Sequence, residues 1–278
     1  MSLKSKKLNQ KIGFIGCGNL GSSILSQIIR SRLAGESKIF VSEKSFSKKI
    51  LLKKQFKKIN ISDSNSLVKN SDIIFLAVKP QSMKSVLIGI SSLKINLKNK
   101  FFISIAAGLE IKFFESFLGK KTKIARIMPN LCLTVNEMAG AYSLNQACSF
   151  KEQKIIQNLF SSSGLLLKVS EKKMHAVTAL SGSGPAFTAF FINAFCEAGL
   201  KEGLSKKEAL LLAEQTFLGT SKLLLEKNIH PNKLIKMVAS KGGTTEAGIK
   251  SLKKNNAGKT FGLAIHAAAK RSRQLSKS

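Results

Sequence analysis

Two glycine-rich stretches hold the residues best suited to chemistry in this chain, and both suit anions. The first, Gly16-Cys-Gly-Asn-Leu-Gly21, follows the apolar run Lys11-Ile-Gly-Phe-Ile15 at once and precedes a helical spacing from Ser22 to Leu33. In that context G-x-G-x-x-G reads as a dinucleotide loop. Gly16 allows the tight turn, Gly18 lets a pyrophosphate approach the backbone, and Gly21 lets the helix pack close to the strand. Ile15 leads into the loop, while Cys17, Asn19 and Leu20 fill its remaining positions. Nothing around Cys17 suggests a nucleophile, so it reads as a small filler. The second stretch runs from Pro231 to Leu252. There Gly242 and Gly243 free the chain to turn tightly, and Thr244 and Thr245 open a helix. Its leading amide N–H groups would point one way, a geometry that suits a carboxylate.

Between these lies the choice of coenzyme. Glu43 stands 22 positions after Gly21, at the end of the second apolar run, where a carboxylate would hydrogen-bond a ribose 2′-hydroxyl and repel a 2′-phosphate. Its neighbours Ser42, Lys44 and Ser45 would favour that phosphate. NADPH is the expected coenzyme, with NADH as the alternative.

The elements that must position these residues follow from patterning. Short apolar runs near 11–15, 38–42, 58–61, 73–78, 101–106, 124–128, 139–144 and 165–169 alternate with amphipathic stretches. That is the βαβ pattern of an α/β, doubly wound Rossmann sheet. The run Ile73 to Val78 is apolar on both faces, as a strand covered by helices on each side must be. Beyond about residue 170 strand signals stop. Ser205-x-x-Glu208 is a capping box, and Ala209 to Glu226 reads as one long helix. Two domains are expected: 1–170 for the dinucleotide, and 171–278 all helical. The lysine-rich tail after Lys270 is expected to fray.

Composition excludes several classes. The 278 residues are 44% hydrophobic, enough for a substantial core. Lys+Arg number 46 against 15 Asp+Glu, a formal charge of +31. Only Arg30, Arg32, Arg126, Arg271 and Arg273 are arginines, and the lysines are spread rather than clustered. This reads as solvated surface that steers anionic ligands, not as a specific nucleic-acid face. Cys17, Cys132, Cys148 and Cys196 lack C-x-x-C spacing, and His175, His230 and His266 lie far apart, so neither a zinc site nor a disulfide framework is indicated. The uncharged stretch from Met174 to Cys196 is broken by Ser181-Gly-Ser-Gly-Pro185, and its helical part is shorter than the ~20 residues a bilayer needs. It reads as an interface helix. No apolar h-region precedes the first strand, so the cytoplasm is the expected compartment and no membrane partner is expected.

Six separated segments together resemble the pyrroline-5-carboxylate reductases, nearly end to end. They are Ile15 to Gly21, Ala77-Val-Lys-Pro80, Ser104-Ile-Ala-Ala-Gly108, Arg126-Ile-Met-Pro-Asn130, Ala179 to Ala186 and Ser240-Lys-Gly-Gly-Thr-Thr245. Ala213-Glu-Gln-Thr216 with Gly219 also resembles the family's long helix. The resemblance implies hydride transfer from NAD(P)H to 1-pyrroline-5-carboxylate, giving L-proline. It also implies a homodimer or higher homo-oligomer through the helical domain, with active sites shared between chains. By the same resemblance Asn65 reaches a ribose; Ala77, Val78, Lys79 and Pro80 line the nicotinamide end; and Asn130 lies near the ring. Gly242, Gly243, Thr244 and Thr245 hold the substrate carboxylate, and Thr245 also orients the ring nitrogen. A cyclic imine that is already protonated needs no His-Asp pair or metal. Positioning is then the main catalytic task, with reacting atoms ~3–3.5 Å apart.

The sequence departs from the family pattern at Lys241, where a proline is usual, at Leu131-Cys132, where Thr-Pro is usual, and at Asn136, where glycine is common. Lys241 puts the rigidity of the turn in doubt more than the function, since a lost proline costs ~0.4–1 kcal/mol through the unfolded chain. Two other readings remain. A two-domain dehydrogenase of the β-hydroxyacid type needs a helical lysine to act on an alcohol proton. Lys168, Lys172 and Lys173 lie in the right region but outside a glycine-rich helix. A reductase-like regulator or nucleic-acid binder is suggested only by the +31 charge and Lys241.

Overall fold

The computed structural model describes residues 6–276. The alternating pattern folds as β1 (Ile12–Ile15), α1 (Asn19–Arg30), β2 (Ile39–Ser42), α2 (Phe46–Gln55), β3 (Asn60–Ile61), α3 (Ser64–Asn70), β4 (Ile73–Leu76), α4 (Pro80–Ser91), β5 (Phe101–Ser104), α5 (Ile111–Leu118), β6 (Lys123–Met128), β7 (Met138–Leu144), α6 (Phe150–Leu159) and β8 (Gly164–Lys168). Helices follow: α7 (Met174–Val177), α8 (Gly184–Lys201), α9 (Lys206–Lys227), α10 (Pro231–Val238), α11 (Thr244–Lys254) and α12 (Ala257–Leu275).

The strands form one sheet in the order β3-β2-β1-β4-β5-β6-β7-β8. Pairings from β3 across to β6 are parallel. β1, β4 and β5 are buried at every position, because helices cover both faces. Phe14, Ile24, Leu25, Ile28 and Ile127 help build the core on one face; Ile74, Leu76, Leu87, Phe102 and Phe114 help build the other. Phe14 and Phe75 stack across β1 and β4 with ring centroids 4.7 Å apart. β7 runs antiparallel to β6. Only residues 129–137 connect them, too short for the crossover of a dozen or more residues that a parallel partner needs.

By contact the chain forms two compact units. One runs to Ser183 and is rejoined by the chain from Ala268 onward; the other is Gly184–Ala267. This division differs from the expected 1–170 and 171–278, because the chain around α7 packs with the sheet: Met174 is fully buried beside Met128 and Ala141. The tail after Lys270 also corrects its expectation. Instead of fraying, α12 continues to Leu275, and buried Ser272 hydrogen-bonds His175 Nδ1 at 2.9 Å. Likewise Ala77 and Val78 lie beyond the end of β4, since α4 begins at Pro80 with Lys79 as its N-cap. Proline is pre-set for that first helical position.

The second unit, taken by itself, is helical. The predicted capping box is present: Glu208 N–H donates to Ser205 Oγ, and Ser205 N–H to Glu208 Oε2. α8 packs on α9 where Gly199 admits Ala209 closely, and Phe195 meets Phe217 edge-on at 5.1 Å. Yet only Cys196, Ala209 and Ala213 are buried in this unit. Leu211, Leu218 and Leu225, seven residues apart on α9, are each more than half exposed. Among the described residues no helix is long and apolar enough to cross a membrane.

A half-buried ion pair ties β6 to α6. Lys123 Nζ lies 2.8 Å from Glu152 Oε1, and Glu152 also accepts from Ser149 N–H and Oγ. Burial pushes the Glu152 carboxyl up, but Lys123 and Ser149 outweigh it and bring it from 4.5 to about 2. A depressed folded pKa stabilises the fold above about 4.5 and loses that stabilisation as pH falls toward 2. Glu152→Gln should therefore remove up to about 3 kcal/mol at neutral pH and flatten the stability curve across that acid window, measured by urea unfolding at a series of pH values.

Candidate active site

The sheet order reverses direction at β1 and β4, and that is where a doubly wound fold opens a crevice at the carboxyl ends of its strands. Most of the predicted site residues of the first unit gather at these ends. Ile15 closes β1, Glu43 follows β2, Asn65 is the second residue of the helix after β3, Ala77 to Pro80 follow β4, and Asn130 follows β6.

The glycine loop has the form an anion needs. Gly16 adopts φ +81°, and its N–H donates to Ser42 O at 2.8 Å, clamping the loop to β2. A Cβ there would meet Val78 Cγ1 at 2.7 Å. Gly21 packs against Ala77 Cβ, where an added Cβ would sit at 3.1 Å, so helix and loop lie close. A Cβ on Gly18 would meet nothing within 4 Å, so the backbone there faces open space. α1 starts at Asn19 with no acidic residue in its first turn. Its leading N–H groups lack intrahelical acceptors, so loop and helix end together fit a pyrophosphate. Cys17 is buried and its thiol is pushed up to about 12 by that burial, with Glu43 adding to the effect. It stays protonated and inert.

Glu43 is turned inward. Its Oε2 accepts from Cys17 N–H at 2.8 Å and its Oε1 from Ser45 N–H at 3.0 Å. Partial burial pushes this carboxyl up, yet the two N–H donors and Lys48 hold it below the ordinary range. Around it lie groups of the opposite preference. Exposed Lys44 and Lys48 flank the start of α2, and Ser45 and Ser47 hydroxyls sit 3.0 Å apart. Ser42 Oγ meets Ser64 Oγ at 2.9 Å, which brings exposed Asn65 to the same end of the sheet.

On the other side of the crevice Asn130 is buried, and its Nδ2 donates to Ser181 O at 3.1 Å while its Oδ1 has no partner. Ser181 Oγ in turn donates to Ala139 O. Beneath this wall Arg126 is fully buried, 3.3 Å from Glu171 Oε1, an oxygen that also accepts from Ile111 N–H. Burial lowers the Arg126 pKa and Glu171 opposes that shift. His175 joins Glu110 at 3.5 Å. The sequence offered no spacing signal for this network, since its members lie far apart along the chain.

In the second unit, Gly242 takes φ +74° and Gly243 caps α11, whose first residues are Thr244 and Thr245. Gly243 N–H closes a turn on Ser240 O. By helix geometry the N–H groups of Thr244, Thr245 and Glu246 have no intrahelical acceptor. One contact was not foreseen: Gly242 N–H donates to Glu246 Oε2 at 2.9 Å, and Glu246 also pairs with Lys250 at 3.3 Å. A carboxylate thus already sits at the edge of the turn. The signal was available, because an N3 glutamate commonly reaches back over a helix start. Lys241 is exposed.

Comparison with known proteins places these features in company. Residues 171–275 match the family model described as pyrroline-5-carboxylate reductase dimerisation, and residues 11–108 match NADP oxidoreductase coenzyme F420-dependent. A pyrroline-5-carboxylate reductase of Methanosarcina acetivorans is 40% identical over 97% of this chain and 99% of its own length. One from Arabidopsis thaliana is 37% identical over 96% of each. Among solved structures, the Plasmodium falciparum pyrroline carboxylate reductase with NADP bound is 32% identical with a TM-score of 0.87, covering 98% of this chain and 100% of its own. The Coxiella burnetii enzyme is 33% identical with a TM-score of 0.88 over the same shares.

The two leading glycines should separate folding from binding. Gly18→Ala places its methyl in open space and should change stability by less than about 1 kcal/mol, while weakening coenzyme binding at least about tenfold. Gly16→Ala meets both positive φ and Val78, and should destabilise by about 1 kcal/mol or more. Thermal unfolding with coenzyme titration by fluorescence distinguishes the two.

Proposed function

The chain belongs to the pyrroline-5-carboxylate reductase family, and on that footing we propose a division of labour among its residues. It reduces 1-pyrroline-5-carboxylate to L-proline, the last step of proline biosynthesis, with a nicotinamide dinucleotide as coenzyme. The observation that carries the residue-level reading is the glycine loop before α1, open at Gly18, and the Gly242–Thr245 turn with its leading amides at the start of α11 supports the substrate end.

When bound, the coenzyme supplies a hydride. Gly16 to Gly21 hold its pyrophosphate through the loop and the start of α1, with Ile15, Cys17, Asn19 and Leu20 shaping that loop. Asn65 reaches a ribose. Ala77, Val78, Lys79, Pro80 and Asn130 line the nicotinamide end, and the unpartnered Asn130 Oδ1 is an acceptor available there. The turn at Gly242 and Gly243 and the amides of Thr244 and Thr245 hold the substrate carboxylate, with the Gly243 N–H closing the turn on Ser240 O, and the Thr245 hydroxyl orients the ring nitrogen. No side chain has to remove a proton before hydride arrives, so catalysis is positioning and exclusion of water. Glu246 must yield its place at Gly242 as the substrate carboxylate enters, because two carboxylates cannot share one donor cheaply.

NADPH is the preferred coenzyme. Glu43 spends both oxygens on backbone N–H groups, which satisfies its charge within the loop, while Lys44, Ser45 and Lys48 surround the start of α2. An NADP-bound relative supports the same choice. The working form is a homodimer or higher homo-oligomer whose active sites are shared between chains. The matching dimerisation family and the exposed Leu211, Leu218 and Leu225 stripe support this. Four unpaired cysteines suit a reducing cytoplasm.

Following NADPH and NADH oxidation separately with pyrroline-5-carboxylate tests these readings. NADPH should give the higher kcat/KM; faster turnover with NADH would overturn the coenzyme choice, and no oxidation with either would overturn the site. Thr245→Ala should lose ~1–3 kcal/mol of transition-state stabilisation, about 5–150-fold in kcat/KM, with the KM for coenzyme unchanged. An unaltered kcat/KM in steady-state assays would remove Thr245 from its role.

A further inference from the structure

We infer that a cleft between α1 and the turn Leu131–Val135 is a second binding site, which takes a free amino acid as its zwitterion and is coupled to the coenzyme site. A cavity of about 490 Å³ opens there. Its residues all belong to the first unit, and none is among those assigned to coenzyme or substrate. The size suits a small metabolite.

One wall is a polar stripe on α1. Ser23, Ser26, Gln27, Arg30 and Ser31 recur at intervals of three and four, which sets them on one helix face. Thr134 and Asn136 face them from the other side, and Ser162 adds a further hydroxyl. A stripe of this kind normally faces open solvent. Here Gln27 is more than nine-tenths buried, its Nε2 donates to Ser162 Oγ at 3.3 Å, and its Oε1 has no partner. A buried amide oxygen without a donor is costly, so the site lacks a hydrogen-bond donor.

The hydroxyls make the same demand. Ser23 donates to Asn19 O at 2.7 Å, Ser31 to Gln27 O at 2.6 Å, and Thr134 to Leu131 O at 2.9 Å. With their protons committed to the backbone, these oxygens present lone pairs. An ammonium satisfies such acceptors. No carboxylate lines the cavity, while Arg30 is exposed at its edge and forms no ion pair among the described residues. Its guanidinium fork matches a carboxylate. A phosphate would leave the acceptors unmet, and a simple amine would leave Arg30 unpaired. A molecule with both ends meets both.

Each wall begins at a residue assigned above to the coenzyme: α1 starts at Asn19, and the turn is capped by Asn130. A ligand bridging the walls fixes their spacing and so alters coenzyme affinity, a coupling that rests on those assignments and is reciprocal.

Equilibrium dialysis of the full chain against a panel of the protein amino acids tests the site, with propionate and isopropylamine as half-ligands. At least one amino acid should bind, the half-ligands at least about tenfold more weakly. Arg30→Ala and Thr134→Val, both at exposed positions, should weaken that binding at least about tenfold without altering melting temperature or basal turnover. The bound amino acid should shift the KM for NADPH about fivefold or more in the wild type and not in the variants. L-proline also enters the active site as product, so only binding lost in the variants counts. The site is overturned if no amino acid shows such binding, or if a half-ligand binds as tightly. An unshifted KM with intact binding overturns the coupling. Basal turnover with pyrroline-5-carboxylate reports separately on the reductase reading.

Discussion

A helical unit with only three buried residues cannot hold itself together by its own core. Cys196, Ala209 and Ala213 supply very little apolar burial, against a conformational entropy cost of ~1–2 kcal/mol for each backbone residue fixed. The remaining apolar surface, from Phe190 through Leu211, Leu218 and Leu225 to Leu263, lies open to water in the single chain. Patches of that kind mark protein interfaces. The match to a dimerisation family supports the proposal that the partner is a second copy of the same chain, in which a symmetric interface would present the same leucines twice. The proposed division of labour depends on this constraint. On that proposal, the substrate turn is completed only in the assembled protein.

The first unit has the opposite character. The central strands of its sheet are covered on both faces, and the candidate site lies in the loops at one end, where backbone N–H groups must be left without partners. Gly16 and Gly21 achieve that by letting strand, loop and helix approach closely, while Gly18 leaves space. The charge follows the same economy of groups. Glu43 accepts hydrogen bonds from two backbone amides, with Lys48 adding only a Coulombic contribution, and no lysine forms an ion pair with it among the described residues.

Much of this was legible in the sequence because it rests on local rules. All eight strands occur where apolar runs were bounded by turn residues, and the Ser205–Glu208 capping box formed as its spacing required. The glycine loop was readable because its residues are contiguous. What escaped depends on distance along the chain. The reversed β7 follows from a short connection after β6, not from any residue within the strand. The Arg126–Glu171 contact joins residues 45 positions apart, and Ser272 reaches His175 across 97, so the tail after Lys270 looked like a lysine-rich end rather than an anchored helix. Glu246 was visible, but its reach back to Gly242 needed the positive φ that only the folded turn displays.

Mixed assemblies test most directly the central claim, that a complete active site needs residues from two chains. One chain would carry Gly18→Val, which disables the coenzyme loop, and the other Gly243→Val, whose side chain would collide with Ser240 Oγ and disable the substrate turn. Each parent should be nearly inactive alone. Purified mixed dimers, each chain bearing a different affinity tag, should recover up to about half of the wild-type turnover, because one of the two sites then joins two intact halves. Mixed dimers no more active than their parents would contradict the account.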